Sequence, residues 1–184
     1  MNMILSRMDA FRAKIQDQDF LGNRGLSNEV GMYIFAYQPE DEMVVRHFLV
    51  ELKEKVQHPR IILYDLYDIL MDICRDRRIL DRIPAMEAQR GAAFMMGQIQ
   101  RVATPEAYIE RMKYQPHEPG DVVMITGIGR VYPYMRSHNI LNNLQHVFDD
   151  IPVVLFYPGE YTGQSLTLFN EFADDNYYRA FNLL

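Results

Sequence analysis

The side chains that could do chemistry in this chain lie where apolar segments give way to polar ones. The stretch "GIGRVYPYMRSHNILNNLQ" (127–145) follows the apolar segment "DVVMIT" (121–126), which predicts a buried strand. Its candidate binding residues are Gly127, Arg136, Ser137, His138 and Asn142. Arginine and histidine at the start of a helix, where backbone N–H groups point outward, could bind a phosphate. The simpler interpretation is a structural network that ties this loop to "GEYTGQS" (159–165), with glycine allowing a tight exit turn.

The segment "GEYTGQS" itself follows the apolar run "IPVVLFY" (151–157) and resembles a phosphate-binding loop. The pattern G-x-x-x-x-G-K-[ST] needs a lysine near the terminal phosphates. Here the spacing is one residue short, Gln164 replaces the lysine, and Glu160 would repel phosphate. We therefore predict a turn, followed by a short helical stretch through Phe172. The candidate groove residues of this segment are Gly159, Glu160, Tyr161, Gly163, Gln164 and Ser165.

Known catalytic and metal-binding patterns fit the sequence poorly. "GIGRVY" (127–132) departs from G-x-G-x-x-G because Tyr132 stands in the last glycine position. The five histidines lack the spacing of a zinc site, and no G-x-S-x-G motif occurs. Three aspartates at helical spacing could hold Mg²⁺, although a solvated helix face explains them with fewer assumptions. They are Asp65, Asp68 and Asp72. We expect no metal, no cofactor and no catalytic activity.

Two further segments could contact a partner. The run "RDRRILDR" (75–82) interleaves four arginines with two aspartates, so it predicts self-paired surface charge, with contact to nucleic acid or an acidic protein as the alternative. The segment "DDNYYRAF" (174–181) is rich in residue types found in interface hot spots. A last strand docking on the sheet would use the same residues. The partner-contact candidates are Tyr177, Tyr178, Arg179 and Phe181.

The elements that must position these residues follow from apolar periodicity. Strands are predicted over 32–37, 60–66, 121–126 and 151–157, and "NYYRAFNLL" (176–184) could add a fifth. Helices are predicted over 3–16, 44–57, 67–80, 85–102, 104–112 and 139–148, with a loop over 16–31. Alternating strands and helices predict an α/β fold: a single three-layer domain, residues 1–184, whose mostly parallel sheet of four to five strands is flanked by helices.

The composition and net charge of the chain argue against several classes of function. The chain has 19 basic and 25 acidic residues, a net charge of −6, so direct DNA binding by bulk electrostatics is not expected. The only cysteine, Cys74, excludes an internal disulfide and predicts a small buried side chain in a reducing cytoplasm. The sequence has no apolar run of membrane-spanning length and no secretory signal pattern. We expect a cytoplasmic protein without membrane contact.

Several long motifs in this chain resemble the BrxB family of bacteriophage-exclusion (BREX) defence systems. They are 127–145, "VVLFYPGEYTGQSLTLF" (153–169) and "DDNYYRAF", and "NRGLSNEVGMYIFAYQPEDE" (23–42) resembles the opening of the same family. The family's motif positions transfer to Arg24, Gly25, Gly127, Pro133, Arg136, Ser137, His138, Asn139, Asn142, Asn143, Gly159, Glu160, Tyr161, Gly163, Gln164 and Ser165. Arg24 joins the candidate groove residues on this basis.

The resemblance implies a small component of a multigene locus rather than a known activity. Such loci also encode a large ATPase (BrxC), an alkaline-phosphatase-like protein (PglZ) and an adenine-specific DNA methyltransferase (PglX). We therefore expect a non-catalytic adaptor that binds other BREX proteins, most plausibly PglZ, to assemble the defence complex. The alternative is a nucleotide- or nucleic-acid-responsive regulatory module that uses the degraded phosphate-loop-like strand exit.

Overall fold

A parallel sheet with helices on both faces forms the centre of the molecule. The computed structural model describes residues 3–23, 31–174 and 180–184. Its strands are β1 (Met32–Tyr37), β2 (Arg60–Asp65), β3 (Asp121–Thr126), β4 (Val153–Tyr161), β5 (Leu166–Leu168), β6 (Phe172–Asp174) and β7 (Phe181–Asn182). Five of these strands run parallel in the order β2-β3-β4-β1-β7. The predicted α/β fold with a mostly parallel sheet is confirmed.

The middle of the sheet is held by β4, which pairs with β1 on one side and β3 on the other. The register with β1 runs from Met32 opposite Val153 to Tyr37 opposite Pro158. The strand β3 pairs with β2 along its full length. Because all these strands are parallel, their carboxyl ends gather at one edge of the sheet, where α/β proteins place ligands.

The connections between the strands are helical. The helices are α1 (Met3–Lys14), α2 (Gln18–Leu21), α3 (Glu42–Lys55), α4 (Leu66–Asp76), α5 (Ile83–Arg90), α6 (Ala92–Val102), α7 (Pro105–Met112), α8 (Ile128–Val131) and α9 (Ser137–Leu144). Short 3₁₀ turns at Pro39–Asp41 and Leu80–Arg82 precede α3 and α5. As predicted, Thr104 begins α7, because its side chain accepts a hydrogen bond from the N–H of Ala107. None of the described helices combines the length and apolar character needed to cross a bilayer.

Two apolar clusters cover the two faces of the sheet. The cluster under α1 and α3 contains Phe156, whose ring lies 5.3 Å from that of Phe11. The other cluster lies under α4 and α6–α9 and contains Tyr157. These neighbouring β4 residues belong to opposite clusters because side chains alternate along a strand. Cys74 is buried in the second cluster, as predicted, and burial raises the pKa of its thiol.

The segment after β4 differs from the prediction. β4 continues through "PGEY" to Tyr161, and β5 and β6 then form an antiparallel extension instead of the predicted helical stretch through Phe172. Gly159 makes this possible, because it adopts φ +150° and a Cβ there would lie 2.0 Å from the carbonyl oxygen of Thr167. A proline–glycine pair usually ends a strand, but here tertiary pairing with β5 carries the strand onward.

Three smaller predictions were also wrong in their boundaries. The helix predicted over 85–102 is two helices, because Gly91 has φ +86° and ends α5 before α6 begins. The loop predicted over 16–31 contains the short helix α2, which Asp17 caps. The helix predicted over 139–148 starts earlier and ends at Leu144, although Phe148 remains buried.

A buried carboxylate fixes the amino ends of β2 and β3. Asp121, at the start of β3, is 1 % exposed and accepts two hydrogen bonds of 2.6 Å from the guanidinium group of Arg60, at the start of β2. Tyr114 and the backbone N–H of Glu118 also donate to it. Burial alone would raise the pKa of Asp121, but these hydrogen bonds outweigh burial and lower it to about 2.

We predict that Asp121→Asn lowers the free energy of unfolding at pH 7 by about 1–3 kcal/mol, because Arg60 and Tyr114 lose a charged acceptor. The lowered pKa means that the carboxylate stabilises the fold above its unfolded-state pKa of about 4, and that this stability disappears as the pH falls through about 2. Urea unfolding of both proteins across that range measures the effect. The difference between them should shrink with falling pH, and a constant difference would contradict the assignment.

We also predict unequal effects of alanine at two glycines of the extension. Gly163 has φ +90° with open space around its Cβ position, so Gly163→Ala should cost about 1–2 kcal/mol of backbone strain. Gly159→Ala adds a collision with the backbone of Thr167 and should cost about 1–3 kcal/mol more. Thermal and urea unfolding compare the two variants. Equal costs would show that β5 moves aside without penalty.

Candidate functional site

The exit of β3 forms a rigid turn. Gly127 has φ +83°, and a Cβ there would lie 2.4 Å from Oδ1 of Asp65. The Asp65 carboxylate also caps α4 by accepting the N–H of Tyr67, and it accepts a hydrogen bond of 2.8 Å from Arg130. The guanidinium group of Arg130 in turn lies 4.2 Å from the ring centroid of Tyr67. This cluster joins the ends of β2 and β3 and gives Gly127 the structural role that was predicted for it.

The three aspartates considered for magnesium do not converge. Asp65 faces Arg130, whereas Asp72 pairs with Arg75 on the surface of α4. Within the ranges that the structure describes, no three His, Cys, Asp or Glu side chains are grouped to hold a metal ion. The arginine run also pairs in part with acidic groups, although Asp76 pairs with Arg111 of α7 and not within the run.

A polar groove of about 340 Å³ opens beyond the end of the parallel part of β4. We call it the β6 groove, because β6 forms one wall and the start of α9 forms the other. Its polar and aromatic lining includes Arg136, Ser137, Tyr157, Glu171, Phe172 and Asp174. Two of the predicted residues, Arg136 and Ser137, therefore lie in a groove at the predicted edge of the sheet.

Polar contacts of the described residues connect the walls and the floor of the β6 groove. Nδ1 of His138 lies 3.0 Å from Oδ2 of Asp174, which joins the first turn of α9 to β6. The Tyr157 hydroxyl at the floor interacts with Ser137. Burial raises the pKa of the Tyr157 phenol, and the nearby Asp174 carboxylate raises it further, against the opposing effect of Ser137. Tyr157 is therefore a neutral hydroxyl at physiological pH and suits hydrogen bonding more than proton transfer.

The network predicted between this loop and "GEYTGQS" stays a prediction, because the contacts described for the loop's polar residues lie elsewhere. The groove residues contact Tyr157 and Asp174, whereas "GEYTGQS" forms the end of β4 and the turn into β5. Glu160 is exposed there, and the hydroxyl of Tyr161 donates to the carbonyl oxygen of Ala180. Asn142 is exposed on α9 and does not line the groove.

The turn itself differs from a phosphate-binding loop. Thr162 Oγ1 accepts hydrogen bonds from the N–H groups of Gln164 and Ser165, so these two N–H groups already have a partner. Gly163 supplies the positive φ that a tight hairpin requires. A strand follows where a phosphate loop needs a helix N-terminus. The strand exit therefore lacks the geometry on which the nucleotide-binding alternative depended.

The remaining predicted residues are placed as follows. Arg24, Gly25, Tyr177, Tyr178 and Arg179 lie outside the described residues. Phe181 belongs to β7 beside β1, and its ring lies 5.9 Å from that of Tyr33. It is thus half-buried in the sheet, which favours the last-strand interpretation of that residue.

Sequence reasoning missed the residues that complete the groove, which are Tyr157, Glu171, Phe172 and Asp174. Tyr157 carried a usable signal, because a tyrosine at the end of an apolar strand needs a hydrogen-bond partner when buried. The β6 residues carried no such signal, because the segment through Phe172 was predicted to be helical. The contact between β6 and the start of α9 depends on tertiary structure, which local sequence patterns do not encode.

Comparison with known proteins finds a family model and two relatives that carry the same description. The family model described as "BREX protein BrxB" matches residues 62–183. A BREX protein BrxB of Bacillus cereus (strain H3081.97) is 38% identical over 190 residues, covering 100% of this chain and 99% of the relative. A BREX protein BrxB of Escherichia coli O9:H4 (strain HS) is 28% identical over 180 residues, covering 97% of this chain and 90% of the relative. No solved structure matches the chain significantly.

We predict that His138→Ala loosens the β6 wall without unfolding the sheet. The change removes the contact to Asp174, so backbone amides of β5 and β6 should exchange with solvent about three- to tenfold faster. Hydrogen exchange read by mass spectrometry measures this, with exposed His146→Ala as the matched control. Equal acceleration in β1 and β3 would show that His138 supports the whole fold instead.

Proposed function

The chain belongs to the BrxB family of BREX anti-phage defence systems, and we propose that it acts there as a non-catalytic adaptor. In this proposal it works in the cytoplasm and binds other BREX proteins to assemble the defence complex. PglZ is the most plausible partner, and the BrxC ATPase and the PglX methyltransferase are further candidates. Direct DNA binding forms no part of the proposed role.

The observation that carries the proposal is an exposed aromatic rim on the β6 groove. Phe172 is 45% exposed, although a side chain of this size is usually buried. Its ring lies 5.2 Å from Tyr132 and 6.5 Å from Phe169, so the three rings form one surface cluster. Aromatic side chains in such clusters commonly supply the central contacts of protein interfaces.

The position of β6 also favours protein docking. Among the described strands β6 pairs with β5, and in this proposal a partner segment docks beside it. The segment that follows β6 directly is "DNYYR" (175–179), which contains the predicted contact residues Tyr177, Tyr178 and Arg179. The proposed contact surface is therefore the β6 groove, its aromatic rim and this adjoining segment.

The charged groups at the strand ends have structural roles that fit a binding scaffold. Asp65 is held by Arg130 and a backbone N–H, and His138 is held by Asp174. These contacts join the ends of β2 and β3 and attach α9 to β6, which suits a scaffold for a binding surface.

The nucleotide-responsive alternative has weaker support. Arg136 lines the β6 groove at the start of α9, which is the remaining feature that could meet a phosphate. Calorimetry with ATP, GTP and duplex DNA decides this alternative. Binding that Arg136→Ala abolishes would favour a ligand-responsive module over a pure adaptor.

We predict that PglZ co-purifies with this chain from cells expressing the complete locus. Phe172→Asp should weaken the complex about tenfold or more, because it places a charge in the centre of the aromatic rim. Leu5→Asp is the matched control, since Leu5 is 52% exposed on α1. Affinity capture followed by interferometry with purified components measures both effects. A chain that elutes alone at every salt concentration contradicts the adaptor role.

A further inference from the structure

A second groove lies on the other face of the sheet. We call it the α3 groove, because α3 forms one wall, while the carboxyl ends of β2 and β3 and the start of α4 form the other. It encloses about 490 Å³, and the residues that matter below are Met43, Arg46, Val50, Lys53, Leu63 and Asp68. Its helix packs in the apolar cluster of α1 and α3, whereas the β6 groove belongs to the opposite cluster.

The helix α3 is apolar on two sides. Its inner side buries Val45, Phe48, Leu49 and Leu52 against the sheet, as an amphipathic helix requires. Its outer side exposes Met43 at 69% and Val50 at 51%. These two residues are seven positions apart and therefore share one helix face. Together with the half-buried Leu63 of β2 they form an apolar strip along the groove.

Cations flank this strip. Arg46 and Lys53 line the groove, and neither forms an ion pair with another described residue. On the opposite wall, the carboxylate of Asp65 lies 2.8 Å from Arg130, which balances its charge. Among the described residues that line the groove, Asp68 is therefore the one acidic side chain without an ion pair. The unpaired charges on the described part of the lining are thus two cations and one carboxylate, an excess of one positive charge in a chain whose net charge is −6.

We infer that the α3 groove binds an acidic amphipathic helix of a partner protein. The apolar side of that helix covers Met43, Val50 and Leu63, and its carboxylates pair with Arg46 and Lys53. This inference rests on the proposed adaptor function and adds to it a second contact surface of stated chemistry. Because the two grooves belong to opposite faces of the sheet, one chain can hold two different partner segments at once.

A second copy of this chain fits the α3 groove less well than an acidic partner does. In a two-fold symmetric contact the same patch meets itself, so Asp68 of one copy balances only one of the two cations, Arg46 and Lys53, of the other. The remaining cation of each copy would be left unpaired in the contact, which opposes association. The charge pattern therefore favours a different protein.

The first test uses charge and polarity changes in the groove. Arg46→Glu combined with Lys53→Glu, and separately Met43→Asp, should each raise the Kd for the partner about tenfold or more. Matched controls on the opposite face are Arg90→Glu combined with Arg101→Glu, and Met96→Asp, all at exposed positions. Interferometry is run with purified PglZ, BrxC and PglX in turn, after thermal unfolding confirms that each variant folds. Wild-type affinity should also fall with rising salt, because the contact is partly ionic.

The second test identifies the occupant. A photo-crosslinking amino acid in place of Val50 should attach to a segment of the partner that is helical, acidic on one side and apolar on the other. Crosslinks to a basic segment, or to a second copy of this chain, overturn the inference.

The outcomes separate the inference from the proposed function. If the wild-type chain binds none of the three proteins, the adaptor role fails and the inference fails with it. If the wild-type chain binds and Phe172→Asp weakens binding while the α3 variants match their controls, the adaptor role stands and the α3 groove is not a docking site.

Discussion

The structure depends on a single strand, β4, that takes part in two kinds of pairing. Its first six residues, Val153–Pro158, lie parallel to β1, and its last three, Gly159–Tyr161, lie antiparallel to β5. Proline has no N–H to donate, so Pro158 can sit where one ladder ends, while its carbonyl oxygen accepts the N–H of Phe169 from the returning chain. Gly159 then lets the backbone of β5 approach closely. The central sheet and its antiparallel extension are thus one continuous unit.

This double pairing determines where the β6 groove lies. Near the end of the parallel part of β4, Tyr157 faces the helical layer that contains Ser137. The antiparallel part turns the chain back, so β6 returns Asp174 to within 3.0 Å of His138. The groove lies between these two contacts and is bounded by elements whose positions β4 fixes. Its walls are therefore set by backbone pairing rather than by long surface loops.

Sequence patterns predicted the parallel sheet well because each strand carries its own apolar signal. The predicted bounds of β1 and β3 match the observed ones, since burial on both faces makes the residues of "MYIFAY" and of "DVVMIT" apolar or half-apolar, apart from Asp121 at the start of β3. The patterns failed after Tyr157, where proline and glycine indicate a turn unless a distant strand pairs with them. The pairing of His138 with Asp174 spans 36 residues, and no local periodicity encodes a contact of that kind.

The two grooves share one property: exposed apolar side chains lie beside arginine or lysine on their walls, while the ion pairs at the strand ends hold the sheet together. At the amino ends of the strands the Asp121 carboxylate is fully engaged with Arg60 and Tyr114, and at the carboxyl ends Asp65 is engaged with Arg130. These buried or half-buried pairs hold the strands in register and contribute little to the outer surface. Exposed aromatic and aliphatic side chains, with arginine or lysine beside them, instead lie on the groove walls. Such residues gain most when a protein surface excludes water from them, which is the physical basis of the recognition proposed for both grooves.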